Sequence, residues 1–201
     1  MRRLLLCLFL PLILSACADH IWASDEAVAR AHYVSHEPPS LTLFTVQRKI
    51  GNEGAHSALM INGSERVLYD PAGSWENPAA PERNDLHYGI TPQIKQFFIS
   101  YHARTTYNAY EQTIPVSAAV AELAMQRAIV AGASGQALCA NHVSEILSGL
   151  PGFESIGRTF FPNRLMREFA KLPGVVTVLH EEANPDDNKA ILDAQKHAVA
   201  P

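Results

Sequence analysis

Three side chains in this 201-residue sequence are of the types that build a thiol nucleophile: Cys139, His56 and Asp70. A cysteine attacks a carbonyl as its thiolate. An imidazole pairs with that thiolate and then gives a proton to the leaving group. A carboxylate holds the imidazole in the right tautomer and stabilises its cation. Cys139 falls at the start of a segment, 138–148, that reads as a helix with Val143, Ile146 and Leu147 on its apolar stripe and Gly149 at its end. In the first turn of a helix, unsatisfied N–H groups and the helix dipole favour a thiolate and lower the thiol pKa. A buried cysteine that only fills space needs no such location.

His56 and Asp70 flank a β-hairpin. Residues 58–61 and 66–69 are apolar runs, and Asn62-Gly63-Ser64 is a turn signal between them. With 62–64 as a three-residue loop, and Gly63 or Ser64 left-handed, Ile61 faces Glu65 and His56 sits directly opposite Asp70. Opposed side chains have Cβ atoms about 4.5–5.5 Å apart, within reach of a carboxylate–imidazole bond. A two-residue Asn62-Gly63 loop pairs His56 with Tyr69 instead.

Other residues have weaker claims. The backbone N–H of Cys139 is the natural oxyanion donor, and the Gln136 side chain is a second candidate on the approach to the helix. Trp75, in the Gly73-Ser74-Trp75 run after Asp70, either lines a cleft or packs its loop down. Asp70, followed by Pro71, also suits a plain turn. His142 shares the cysteine's helix, as a second base or as a solvated or capping residue. Cys139, His56 and Asp70, with His142 as fourth ligand, form an alternative zinc set, though structural zinc sites prefer closely spaced pairs. His32, His36, His87, His102, His180 and His197 show no ligand spacing. No metal or cofactor is expected.

The surrounding elements are expected in this order. Residues 41–46 alternate as a strand, and 71–85 form a long polar segment with no periodicity. Thr91-Pro92 starts a helix with Ile94, Phe97, Phe98 and Tyr101 inward. Residues 105–116 form a strand. Ser117 caps a helix to about 131 with Val120, Leu123, Ala124 and Ile129 inward. After the cysteine helix come a short helix at 162–171, a buried strand at 175–179, and an acidic tail with a possible helix at 187–197.

Net charge is −4 and the pI about 6.1. No basic stretch offers phosphate neutralisation, so a nucleic-acid partner is not expected. The N-terminus resembles a bacterial lipoprotein signal: Arg2-Arg3, an apolar run over 4–14, and a Leu14-Ser15-Ala16-Cys17 box. That resemblance implies cleavage after residue 16 and a lipid on Cys17, which anchors the protein in a membrane. An ordinary secretory signal with Cys17 incidental is the alternative. Ala18, not Asp, after the cysteine points by analogy to the outer membrane, facing the periplasm. With Cys7 lost and Cys17 acylated, Cys139 is left without a disulfide partner. The expected organisation is signal 1–16, lipidated tether 17–40, one domain over 41–180 and a peripheral tail at 181–201.

The order of residues (strand His, strand Asp across a hairpin, then a distant Cys opening a helix) resembles the circularly permuted branch of the NlpC-type papain-like superfamily. That branch includes cell-wall cysteine peptidases and lecithin–retinol-acyltransferase-like proteins. The stretches carrying the resemblance are Ala55-His56 and its strand, Tyr69-Asp70, and Leu138-Cys139 with 143–147. The nucleophile motif departs from the acyltransferases: Leu138-Cys139-Ala140-Asn141-His142 stands where they have Asn-Cys-Glu-His. The resemblance implies an α+β papain-like domain, a small antiparallel sheet with the cysteine helix packed on it. It also implies amide hydrolysis through Cys139, His56 and Asp70, with peptidoglycan stem peptides or another peptide as substrate and a monomeric enzyme. A lipid thioesterase or acyltransferase on the same site, and an inactive binding lipoprotein, are the rival expectations.

Overall fold

A computed structural model describes residues 22–199. The expected signal and the expected lipidation site, Cys17, lie outside that range, as do the last two residues. The chain is α+β, with seven antiparallel strands in the order β4-β5-β3-β2-β1-β6-β7. The centre is β1 (Ser40–Arg48), paired with β2 (Gly54–Asn62) on one side and β6 (Tyr107–Pro115) on the other. β3 (Arg66–Tyr69) extends the sheet beyond β2, followed by the two-residue strands β5 (Leu86–His87) and β4 (Glu82–Arg83). β7 (Val176–Glu181) closes the far edge on β6.

Alternate side chains of the central strands feed two cores, because both faces are covered. Leu41, Leu43, Leu59 and Ile61 meet α3 (Ala118–Ala131), α4 (Cys139–Ser148) and α5 (Pro162–Phe169). Phe44, Ala58, Met60 and Leu68 meet Trp75 and α2 (Pro92–His102). α6 (Asn188–Ala198) adds Ile191 and Leu192 to this second core. α1 (Asp25–Ala31) lies at the N-terminus. The caps on α2 and α3 form as expected: Thr91 accepts from Ile94 N with Pro92 at the first helical position, and Ser117 accepts from Val120 N. Val143, Ile146 and Leu147 are fully buried. At roughly 1.5–3 kcal/mol per buried aliphatic side chain, they fix α4 firmly on the sheet.

Several expectations need correction. The buried stripe of α3 is Ala121, Ala124, Met125 and Ala128, while Ile129 is 53% exposed. Those four positions are spaced i, i+3, i+4, i+7, and the small alanines let the helix approach closely. Side-chain size was a poorer guide than spacing. The strand expected to be buried near 175–179 is an edge strand, with Val176, Val178 and Leu179 exposed. The tail is not peripheral: Gln195 is buried, accepts from Trp75 Nε1 at 3.0 Å and donates to Phe97 O at 2.8 Å. The described part of the tether, residues 22–39, lies against the domain. Asn62 Nδ2 donates to Glu37 O and Pro38 O, and buried Arg66 donates to Ile90 O and to the Glu37 carboxylate.

The corrected α3 face has a direct test. Ala128→Leu should cost about 1–3 kcal/mol by overpacking against the sheet. Ile129→Ala should stay within about 0.5 kcal/mol. Urea denaturation of both variants checks the contrast.

Candidate active site

The hairpin sets the imidazole. Asn62 pairs with Arg66, so the loop is Gly63-Ser64-Glu65, and none of the three has a positive φ. It is three residues long, as expected, but begins one residue later than 62–64. Ile61 therefore faces Val67, not Glu65, and the ladder ends at Leu59 and Tyr69. Continued, this register sets Asp70 level with Ala58, two residues along from His56. A two-residue slip leaves every side chain on its original face, where a one-residue slip would reverse it. His56 thus reaches Asp70 diagonally, with Nε2 and Oδ1 2.6 Å apart.

Asp70 is held from both sides. It starts a turn through Pro71 and Ala72, the latter at φ +57°, and Gly73 N donates to Asp70 O. A Cβ on Gly73 would fall inside the Asp70 carboxylate. Asp70 N donates to Asp85 O. The Asp85 carboxylate accepts from Ala72 N at 2.9 Å and from Ser134 N at 2.7 Å. It therefore ties the aspartate turn to the loop that leads into α4. Asn84 and Asp85 both have positive φ, as a two-residue hairpin turn between β4 and β5 demands. This turn lies in the segment that showed no periodicity.

The thiol arrives from the other layer. β3 stops at Tyr69, so residues 54–58 of β2 have no strand on that side. The N-terminus of α4 fills the place. Cys139 is 7% exposed and lies close enough to His56 and to the N–H groups of Ser57 and Ala140 for each of them to favour its thiolate. With Nε2 taken by Asp70, Nδ1 is the imidazole nitrogen left for the thiol.

Electrostatics favours the charged forms of all three groups. Burial disfavours the His56 cation, but the Asp70 carboxylate and the Cys139 sulfur outweigh it and raise its pKa to about 10. Burial pushes Asp70 up, and the charge and hydrogen bond of His56 bring it below the ordinary value. Burial likewise pushes the thiol up, and His56 with the two backbone N–H groups lowers it overall. The arrangement favours a thiolate–imidazolium pair backed by a carboxylate.

A second imidazole, not singled out in the sequence, lies over the first. His102, at the end of α2, stacks on His56 with ring centroids 5.6 Å apart and planes 7° apart. Its Nδ1 donates to Phe98 O at 2.9 Å, since a carbonyl only accepts. Burial, with the neighbouring His56 cation, lowers its pKa to about 4. It is therefore a neutral ring packed on a charged one. A cleft of about 450 Å³ opens beside this stack, lined by His56, His102, Arg104, Tyr101 and Asp186 among others. Cys139 does not line it.

The remaining candidates fare differently. Gln136 is exposed in the turn that bonds Leu138 N to Gly135 O, with no hydrogen bond of its own. Trp75 is core, packed on His87 and Phe98 and bonded to Gln195, so it does not line the cleft. His142 Nδ1 bonds the Tyr69 hydroxyl Oη at 3.0 Å and leaves the zinc arrangement without its fourth ligand. Among the described residues, no group of three or more His, Cys, Asp or Glu side chains is placed to hold a metal ion. Asp85, His102 and Arg104 were not legible as site residues, because none has a motif spacing to His56 or Cys139.

No protein-family model matches this chain, and neither a curated protein nor a solved structure matches it significantly.

Cys139 should be alkylated by iodoacetamide well below pH 8, and His56→Ala should slow the reaction at pH 6 by about tenfold or more. Gly73→Ala should shift the same pH profile upward by displacing Asp70; an unshifted profile would detach Asp70 from thiol activation. His102 predicts a stability effect. Its folded pKa near 4 lies below 6.5, so between those values the unfolded chain binds a proton that the fold does not. The stability contributed by the neutral ring is full above pH 6.5 and is lost as pH falls toward 4. Thermal melts should show that fall, and His102→Gln should flatten it.

Proposed function

We propose that this protein is a thiol-dependent hydrolase that cleaves an amide bond in a peptide substrate, in the manner of the permuted NlpC-type papain-like enzymes. The observation carrying this reading is the Cys139–His56–Asp70 arrangement, with the thiol at a helix N-terminus, its pKa lowered, and the imidazole bonded to a buried carboxylate. A space-filling cysteine requires neither the ion pair nor the backbone donors around its sulfur. The contact between Cys139 and His56 also speaks against an inactive scaffold.

The chemistry follows from the charges. The Cys139 thiolate attacks the amide carbonyl carbon, and the oxygen gains the negative charge. The N–H of Cys139, at the first helical position and without an intrahelical acceptor, is placed to bind that oxyanion. The imidazolium of His56 gives its proton to the nitrogen as the C–N bond breaks. An amine leaves and a thioester to Cys139 remains. His56, now neutral, takes a proton from water, whose oxygen attacks the thioester. The acid product departs and the thiolate–imidazolium pair is restored. Asp70 stabilises the imidazolium at each stage.

Peptidoglycan stem peptides are the proposed substrate, on the strength of the lipoprotein-like N-terminus and the family resemblance. The cleft beside His56 carries Arg104, Asp186, Asn188 and Ser74, and this polarity suits a peptide better than an acyl chain. The more apolar cleft, between Leu123, Val130 and Ile146, includes neither Cys139 nor His56. Purified peptidoglycan incubated with the wild-type protein should release new muropeptides, and Cys139→Ala should release none. Indistinguishable profiles would remove the peptidoglycan reading.

A further inference from the structure

The cleft beside His56 contains a cation that the protein does not neutralise. Arg104 is 4% exposed and lines the cleft. Its Nε and Nη2 are buried and have no acceptor among the described residues. An arginine cannot shed its proton, so a buried guanidinium without acceptors is costly unless a ligand supplies them. The other polar groups around it are already committed. Tyr101 donates to Ser74 O and accepts from Asn188 Nδ2. Both oxygens of Asp186 accept from Thr106, through its N–H and its hydroxyl. Asp186 lies near enough to interact electrostatically with Arg104 and Lys49, and Lys49 Nζ is bonded to Glu182 O. The carboxylate in the cleft therefore offers Arg104 attraction but no hydrogen bond, and the buried Nε and Nη2 stay without an acceptor. His102 presents a neutral ring in the same wall, and the His56 cation beside it is already paired with Asp70.

We infer that Arg104 binds a carboxylate of the substrate in the cleft beside His56, so that the protein acts on peptides carrying a free acidic group close to the bond cleaved. Two parallel N–H groups match a carboxylate bidentately, and this geometry selects the acid over its amide. The role of the bound group rests on the hydrolase reading; the binding itself does not.

The test uses Cys139→Ala, which keeps the cleft and cannot turn over. N-acetylglutamate and its diamide, N-acetylglutamine amide, are titrated to about 50 mM. The Arg104 Nε–H and His102 ring resonances are followed by NMR. The acid should shift both saturably, and the diamide should bind about tenfold more weakly or worse. Arg104→Gln should abolish the preference, and Arg104→Lys should retain part of it. Folding of the Arg104 variants is checked in the Cys139 background, where iodoacetamide should still alkylate the thiol at low pH. Equal shifts from acid and diamide, or none from either, would overturn the inference. So would a preference that survives Arg104→Gln. Muropeptide release is a separate readout: its absence with the acid preference intact would sink the hydrolase reading and leave the carboxylate site standing.

Discussion

Asp70 is 1% exposed and its carboxylate lies 2.6 Å from His56. Two charges taken out of water in this way stay ionised only while each holds the other, because desolvation opposes both. The local backbone serves that contact. The hairpin register keeps His56 and Asp70 on one face. Gly73 leaves room for the carboxylate, where any Cβ would collide with it. Asp85 bonds the turn after Asp70 and the loop before Cys139, so both residues are located by one side chain.

The pair also explains why the site sits where it does. His56 projects toward the layer of α2, and Cys139 comes from the layer of α4. A continuous sheet would separate them. They meet because β3 ends at Tyr69, which leaves the N–H of Ser57 free of a strand partner and available to the sulfur. Helix α2 is in turn held to the sheet by the Lys95–Glu111 ion pair, and it delivers His102 onto the imidazole. Trp75 and Gln195 join α6 to the same layer. The C-terminal helix thus belongs to the support of the site.

Charge is distributed unevenly around the imidazole. Its cation is balanced by Asp70 and stacked by a neutral ring, and the next cation, Arg104, lines the cleft with its buried Nε and Nη2 unpartnered. Histidine and arginine divide the work as their chemistry allows. In the proposed reaction His56 gives its proton to the leaving group, whereas Arg104 keeps its charge throughout.

Much of this was written locally in the chain. Thr91-Pro92 and Ser117 start their helices because capping is decided within one turn. Cys139 could be placed at a helix start from the apolar stripe behind it. The hairpin strands were legible from two apolar runs, and so was the sharing of a face by His56 and Asp70, because a register error of two residues does not alter which face a side chain takes. Other features depend on distant packing. Ile129 points outward and the alanines inward because α3 lies close to the sheet, and 176–181 is an exposed edge because none of the described residues covers it. Trp75 is core because α6, 120 residues later, supplies its acceptor. His102, Asp85 and Arg104 join the site through the ends of separate elements, at no fixed spacing from Cys139. Periodicity and caps are short-range, so the residue types and faces of the triad followed from sequence alone. The acceptors and neighbours that set its charges come from segments far apart in the chain, and only their packing brings them together.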